Sequence, residues 1–213
     1  MNGRHPGVAA IALVALLALP PLRAWLEASM AAHMLLQMPL LAAAGAFGAL
    51  ALPRRLARWL AAHNAHGVPL TLLAGLVSSY WMLPRALDAA LADPWMELAK
   101  FASLPLLVGL PLALSWRPLG AIGRGFVAAN VISMVAVAGW LYIVSPVRIC
   151  NSYRVDEQAL AGWLLVAVAG VLSVAWAAPA FFSRRNPATA GAAKTENRAQ
   201  ETRSVAVAGG RLR

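Results

Sequence analysis

The sequence predicts an all-α fold, a polytopic membrane helix bundle of about six transmembrane helices with both termini on the cytoplasmic side (N-in/C-in). Hydrophobic residues make up 61% of the 213 residues, charged residues make up 12%, and the mean hydropathy is +0.67. The apolar residues form long runs, and most charged residues lie at the ends of those runs or beyond the last one. A chain of this composition is too apolar for a water-soluble domain.

The first two predicted spans cover about residues 8–22 and 28–52. The first follows Arg4 and is interrupted by a pair of prolines. A short apolar run after a basic residue is also typical of a signal peptide, but no small-residue cleavage site follows it, so we expect a retained span. The second is long enough to cross the hydrocarbon layer with some tilt, and it ends at Pro53 and a cluster of arginines.

The remaining predicted spans cover about residues 68–83, 95–116, 125–144 and 158–182. The third ends at Pro84, and a short polar connector with two aspartates follows it. The fourth contains two prolines and is expected to kink, because proline lacks the backbone N–H that a helix needs. Residues 1–182 thus form a single transmembrane domain in this prediction. Residues 183–213 are rich in Ala, Gly, Thr and Arg, and we expect them to form a disordered cytoplasmic tail.

Basic residues predict the orientation of the bundle. With the N-terminus inside, thirteen of the eighteen Lys and Arg residues fall on the cytoplasmic side. Cytoplasmic segments of membrane proteins carry such an excess, so the bias favours N-in and C-in. The formal charge of +10 follows this distribution and forms no phosphate-binding face, so no nucleic acid partner is expected. The abundance of Ala, Leu and Arg is typical of a GC-rich bacterial genome and indicates a multi-pass protein of the bacterial cell inner (plasma) membrane.

A methionine-rich stripe with one histidine opens the second span. Met30, His33, Met34, Gln37 and Met38 are spaced i, i+3, i+4, i+7 and i+8, so they share one face of a helix. Methionine at this spacing is commonly packing in a core. Thioether and imidazole groups are also soft to borderline metal ligands that can hold a cuprous ion. Both interpretations remain open from this stretch alone.

Two further methionines fall at the same predicted depth as the stripe. The third span ends at the outer surface with Met82, and the fourth begins there with Met96. Ligand softness and shared depth together favour a Cu(I) site more than the stripe does by itself. The predicted metal ligands are His33, Met34, Met30, Met82 and Met96.

The segment before the sixth span adds three polar candidates at the outer face, Cys150, Glu157 and Gln158. Acidic residues in a first helical turn are stabilised by the helix dipole, so capping is the simpler interpretation of the pair at the helix start. A lone cysteine is usually inert, although it is a soft ligand. On the opposite side, His63 and His66 have i, i+3 spacing and can be read as metal or haem ligands, or as loop residues beside three arginines.

Motifs for enzymatic chemistry are missing from the sequence. It contains no nucleophile with a base, glycine-rich phosphate loop, paired-cysteine motif or acid-base carboxylate pair, so we expect no enzyme. A small-solute transporter is a further alternative, but it needs polar groups deep in the spans. Those positions are almost entirely Ala, Leu, Val and Gly, with Asn130 as a lone exception.

Three stretches match the motifs of one membrane-protein family, in order over roughly residues 25–180. Ser29–Leu36, SMAAHMLL, resembles a HMxQHMLL helix start. Trp81–Leu91, WMLPRALDAAL, is similar to WHLPxLYDAAL, and the DPWMELAKF that follows is similar to a histidine-bearing helix start. Glu157–Gly162, EQALAG, resembles DQQLAG. These are motifs of the CtaG-like proteins, which are needed to assemble cytochrome c oxidase.

Most histidines of the family pattern are replaced in this sequence. Ser29, Met82 and Met96 stand where the family has histidines, and Ala99 with Lys100 stands where it has a Glu-His pair. Methionine retains softness for Cu(I) and gives up affinity for Cu(II) or zinc. The ammonium of the lysine would repel a cation if it pointed into the site. Of the histidines in the family pattern, only His33 of the methionine-rich stripe remains.

The resemblance implies a membrane-embedded assembly factor for a copper-containing haem-copper (cytochrome c) oxidase. Its implied partners are oxidase subunits or copper chaperones, and its implied metal is Cu(I), handled at the outer face. The alternative is a metal-free structural partner of a respiratory complex, which the loss of histidines favours. Either protein works within the lipid bilayer.

Overall fold

The computed structural model describes the backbone of residues 4–182 and the side chains of residues 5–178. This range is helical, as predicted, and contains no strand. The predicted tail, 183–213, lies outside the described residues. The helices of this range are, in chain order, α1 (Arg4–Ala18), α2 (Pro20–Glu27), α3 (Met30–Leu50), α4 (Arg54–Ala62), α5 (Val68–Trp81), α6 (Pro84–Ala92), α7 (Pro94–Trp116), α8 (Ala121–Val144) and α9 (Val155–Phe182).

Four of the described helices are long and apolar enough to cross a membrane, namely α3, α7, α8 and the portion Val155–Ala178 of α9. Two pairs meet the same requirement only together, and each pair is bent. The bend between α1 and α2 is 68°, and the bend between α4 and the helix that follows it is 80°. The number of candidate spans among the described residues is therefore four, or up to six if each bent pair is one span.

Two short helices, α4 and α6, lie in segments that the sequence analysis treated as connectors. Each is initiated by a proline, at Pro53 before α4 and at Pro84 as the first residue of α6. Proline suits a helix start because its φ angle is already helical and the first N–H groups have no intrahelical partner. Both segments are too short and too polar to resemble a span, which is why hydropathy did not reveal them.

Two π-helical turns interrupt the long helices, His33–Gln37 in α3 and Leu104–Gly109 in α7. Each ends two residues before a proline, Pro39 or Pro111. A proline in a helix removes one hydrogen bond and its ring clashes with the preceding turn, and a wider turn relieves that clash. The predicted kink of the fourth span thus takes the form of a π turn.

Glycines let α3 and α7 pack with their backbones in contact. A Cβ atom on Gly45 would overlap the carbonyl of Pro105, and one on Gly109 would overlap the carbonyl of Ala42. This close approach holds the second half of α3 against the middle of α7. These contacts lie in the compact unit that ends at Ser173; of the later residues, which form a second unit, the structure describes only the end of α9.

Candidate functional site

Of the six polar side chains that are buried in the described part of the chain, four lie near one another along the starts of α3, α7 and α9. Lys100 and Gln37 have no exposed surface, and His33 and Gln158 are 1% exposed. They come from the start of α3, the first turns of α7 and the start of α9. A buried polar group that lacks a partner costs free energy, and in membrane-spanning segments such groups are commonly functional. We take this cluster as the candidate functional site.

The ammonium group of Lys100 lies at the centre of the cluster. Its Nζ donates to Glu27 Oε1 at 2.8 Å and to Gln37 Oε1 at 3.1 Å. Gln37 Nε2 in turn donates to the same carboxylate oxygen at 3.1 Å. The three side chains therefore form a closed hydrogen-bonded triangle that connects α2, α3 and α7.

A second ion pair joins the triangle. Arg23 Nη1 lies 2.6 Å from Glu97 Oε1, and Arg23 Nε lies 3.7 Å from Glu27 Oε2. The network thus holds two cations, on Arg23 and Lys100, and two carboxylates, on Glu27 and Glu97. Its charges balance without any further ion.

The imidazole of His33 is held in one orientation by Tyr153. The Tyr153 hydroxyl donates to the backbone carbonyl of Glu27 at 2.9 Å, and it lies 3.0 Å from His33 Nδ1. Since its one hydrogen goes to that carbonyl, the hydroxyl accepts from the histidine, and the proton of a neutral imidazole is on Nδ1. The lone pair then lies on Nε2, which is buried and has no hydrogen-bond partner.

The segment that carries Tyr153 is fixed by side chains from two other elements. Gln158 Oε1 accepts from the backbone of Ile149 at 2.9 Å. Asp88 of α6 accepts from the backbone of Asn151 at 2.7 Å and of Ser152 at 3.2 Å. The segment between α8 and α9 is therefore an ordered cover over the histidine.

Glu157 and Cys150 have local roles in this cover. Glu157 Oε2 accepts from the backbone N–H of Arg154 at 3.3 Å, which is the reciprocal bond of a capping box at the start of α9. Cys150 is 1% exposed. Burial, with the negative charge of Asp88 as a smaller cause, raises the pKa of the Cys150 thiol to about 11. The thiol is therefore protonated at neutral pH and is a poor ligand in that form.

The predicted metal ligands divide into two groups. Met30 and Met34 are buried in the core on either side of His33, at 0% and 3% exposure. Met82 and Met96 are half-buried and pack against the same core. Within the described range, no three His, Cys, Asp or Glu residues are arranged to hold a metal ion. The donors that remain for an ion are the Nε2 lone pair and thioethers, which suit a soft monovalent ion such as Cu(I).

The other two histidine candidates are apart from this cluster. His63 follows α4, is exposed, and bonds through Nδ1 to the carbonyl of Trp59 at 2.9 Å. His66 is also exposed and adopts a positive φ of 54°. Between them, Asn64 is buried and connects α5 to α7, because its Oδ1 accepts from the backbone N–H of Leu70 at 3.2 Å and its Nδ2 donates to Ser115 Oγ at 3.1 Å. This asparagine is not among the residues predicted from the sequence, although its position just before a Gly-Val-Pro helix start is a usable signal.

Comparison with known proteins gives no significant match to a protein-family model, to a curated protein or to a solved structure. The resemblance to CtaG-like proteins therefore depends on the three motifs described above.

Proposed function

We propose that this protein is a membrane-embedded assembly factor for a haem-copper (cytochrome c) oxidase. In this proposal the chain spans the bacterial inner membrane six times with both termini inside. The charge distribution along the sequence supports the orientation, and the two bent helix pairs together with the four long helices supply the six spans.

The observation that carries the proposal is the contact among the family-like motifs. The first motif contributes His33, which bonds to Tyr153 beside the third motif. The second motif contributes Asp88, which bonds to the same covering segment. Motifs that are far apart in sequence thus meet at one segment, the cover over His33, which supports a common site more than chance similarity in apolar sequence does.

A gene deletion in the bacterium that carries this protein tests the proposed function. We expect the deletion strain to lose most of its haem-copper oxidase, measured from the reduced-minus-oxidised haem spectrum of its membranes and from cytochrome c oxidation. The wild-type gene should restore both signals. Unchanged oxidase in the deletion strain would contradict the proposal.

An assembly factor of this kind can act with or without a metal. The balance of charges in the polar network favours the metal-free role, in which the bundle packs against oxidase subunits. Lys100 stands where the family motif has a histidine, and its ammonium already bonds to Glu27 and Gln37. Two cations and two carboxylates neutralise each other, so a bound Cu(I) would add an uncompensated charge beside a buried lysine. In the metal-free role, the ammonium group of Lys100 supplies the positive charge that holds these side chains together, and no metal ion is needed.

The free Nε2 of His33 favours the second version, in which the protein handles Cu(I). A buried nitrogen lone pair without a hydrogen-bond partner, on a helical turn that also carries two buried thioethers, offers the donor types that a cuprous ion prefers. In this version the ion would be held by His33, Met30 and Met34, with Met82 and Met96 at the edge of the same core.

Titration of the purified protein with Cu(I), in competition with a chromogenic Cu(I) chelator, distinguishes the two versions. The metal-free version predicts no binding above that of a His33→Ala, Met34→Ala variant. It also predicts that this variant restores oxidase in the deletion strain. Binding of one equivalent that the variant loses, together with failed complementation, would instead establish copper handling.

A further inference from the structure

An apolar groove lies between α1, α3 and α7, apart from the polar cluster. Its volume is about 560 Å³, which is in the range of small-molecule sites. Most of its lining is glycine, alanine and branched aliphatic residues, contributed by Gly7, Ala10, Ile11, Ala15, Ala44 and Gly48 among others. From Ala44 to the end of α3 at Leu50 the groove extends over about 9 Å, at about 1.5 Å per residue, and Ala51 and Leu52 line it just beyond the helix.

One end of the groove lies at the junction of α1, α3 and α4. Gly7, near the start of α1, contacts Ala51 closely, since a Cβ atom on Gly7 would lie 2.9 Å from the Cβ atom of Ala51. Helix α4 begins at Arg54, two residues after Leu52, so the groove end and the start of α4 are within about 7 Å along the chain. The apolar groove therefore opens beside a basic helix.

Helix α4 has the composition of a helix that lies at a membrane surface. At about 100° per residue, Arg54, Arg55 and Arg58 lie within one arc of about 100°, Leu56 lies on the opposite side, and Trp59 lies at the boundary between the two. Leu56 is 45% exposed and Trp59 is 58% exposed, which is costly in water and favourable at the boundary of headgroups and acyl chains.

The three arginines of α4 have no carboxylate partner in the described part of the chain. Their side chains are exposed, and none of the ion pairs among the described residues includes them. The sequence from residue 28 to residue 87 contains no Asp or Glu at all. This end of the molecule is therefore a site of uncompensated positive charge.

We propose that this junction binds an anionic phospholipid, with the phosphate and headgroup on Arg54, Arg55 and Arg58 and one acyl chain in the groove. Guanidinium groups bind phosphate oxygens in a planar, bidentate geometry. The end of the groove at Leu52 lies two residues before Arg54, so an acyl chain of a lipid held by the arginines can enter it from that end. Trp59 and Leu56 anchor α4 at the depth of the headgroups. This proposal does not depend on the proposed role in oxidase assembly.

Native mass spectrometry of the full-length protein in detergent tests the proposal with three probes. These are phosphatidylglycerol, phosphatidylcholine with the same acyl chains, and inorganic phosphate. We expect phosphatidylglycerol to bind at least about tenfold more tightly than phosphatidylcholine, and phosphate alone not to compete at equal concentration, because it lacks the acyl chain. Equal binding of the two lipids would overturn the proposal.

Two sets of variants separate the headgroup from the acyl chain. The triple variant Arg54→Gln, Arg55→Gln, Arg58→Gln should bind phosphatidylglycerol no better than phosphatidylcholine. A matched control with the same charge change elsewhere, Arg85→Gln, Arg148→Gln, Arg154→Gln, should keep the preference. If both triple variants behave alike, the arginines of α4 are not the headgroup site.

Filling the groove should weaken the binding of both lipids. Ala15 is exposed on α1 and lines the groove, so Ala15→Phe should occupy it without disturbing the core. Gly48→Phe does the same from α3, where only Ala10 comes within 4 Å of an added Cβ atom. The melting temperature of each variant shows whether it is folded. Unchanged lipid binding by both folded variants would overturn the assignment of the acyl chain to the groove.

Discussion

Lys100 is the residue on which the candidate site depends most directly. A lysine with no exposed surface in a candidate membrane-spanning helix is tolerated because its charge and its hydrogen-bonding capacity are met by Glu27 and Gln37. A buried charge is costly when its partner is removed, and much less costly when both partners are replaced together.

We therefore expect Lys100→Met or Glu27→Gln alone to lower the free energy of unfolding by about 3 kcal/mol, the cost of leaving one buried charge without its partner. The double variant Lys100→Met, Glu27→Gln should lose clearly less free energy of unfolding than the two single variants lose together. Reversible unfolding in mixed detergent micelles measures all three. Arg154→Gln, which removes an exposed ion pair with Asp156, is the control and should have no measurable effect. Additive losses would mean that the two charges do not stabilise each other.

Cys150 gives a prediction with a defined pH range. Its pKa is raised to about 11 from an ordinary value of 9.0, so the folded thiol keeps its proton more strongly than the unfolded one. The resulting stabilisation is present below pH 9 and is lost as the pH rises through 11. At pH 7.5 the thiolate fraction should be about 100-fold lower in the folded protein.

Alkylation with iodoacetamide, followed by mass spectrometry, measures this difference. The native protein in detergent should react at least about 100-fold more slowly than the protein unfolded in dodecyl sulfate, because burial adds to the lower thiolate fraction. Equal rates in the two states would show that the segment over the histidine is open in solution.

Single residues show what the sequence can and cannot predict about this site. The stripe placed Met30, His33, Met34 and Gln37 on one face, and all four are buried. The partners of this face were not predictable, because they depend on how separate helices meet. Glu27 lies just before the stripe in the sequence, and its bonds to Lys100 and Gln37 follow only from the packing of α2 against α3 and α7.

Among the helices, α8 and α9 meet through a pair of glycines. A Cβ atom on Gly139 would lie 2.8 Å from the carbonyl oxygen of Gly162, and one on Gly162 would lie 2.7 Å from that of Gly139. Both contacts are shorter than a side chain permits, so the two backbones touch only because both positions lack a Cβ atom. Small residues at helix contacts serve this purpose in membranes.

Gly139→Leu or Gly162→Leu should therefore separate α8 from α9 and lower the melting temperature. Gly170→Leu is a matched control on α9, since an added Cβ atom there meets nothing within 4 Å. Differential scanning fluorimetry compares the three variants. Leucine favours a helix more than glycine does, so helix propensity alone would not destabilise any of the three variants. If the control is as unstable as the other two, the loss does not come from the glycine contact.

The long helices were predictable as elements because each requires a long apolar run. The helices α4 and α6 were not, since nine residues each is too short for a hydropathy signal and their starts depend on proline. The pair of prolines after Leu19 was recognised as an interruption of the first span, but the bend of 68° that α1 and α2 make there was not predictable from the sequence.

At the scale of the whole molecule, we predict how the chain is oriented in the membrane: α1 begins on the cytoplasmic side. In a Cys150→Ser background, Val147→Cys should react with a membrane-impermeant maleimide in intact cells, because the segment between α8 and α9 would face outward and Val147 is 65% exposed. Arg117→Cys, between α7 and α8, should react only after lysis. The opposite pattern would reverse the topology and place the polar cluster on the cytoplasmic side.

The π turn in α3 has a consequence for how the chain tolerates changes in length. A π turn holds one residue more than the α-helical turn it replaces. Removing one residue from His33–Gln37, such as the exposed Leu36, would convert the turn to α-helix and leave the faces before and after it aligned. The same deletion in the regular helix α8 would rotate everything beyond it by about 100°. The turn that presents the histidine is thus the one place in α3 where the chain can shorten by a residue without changing which side chains meet α7.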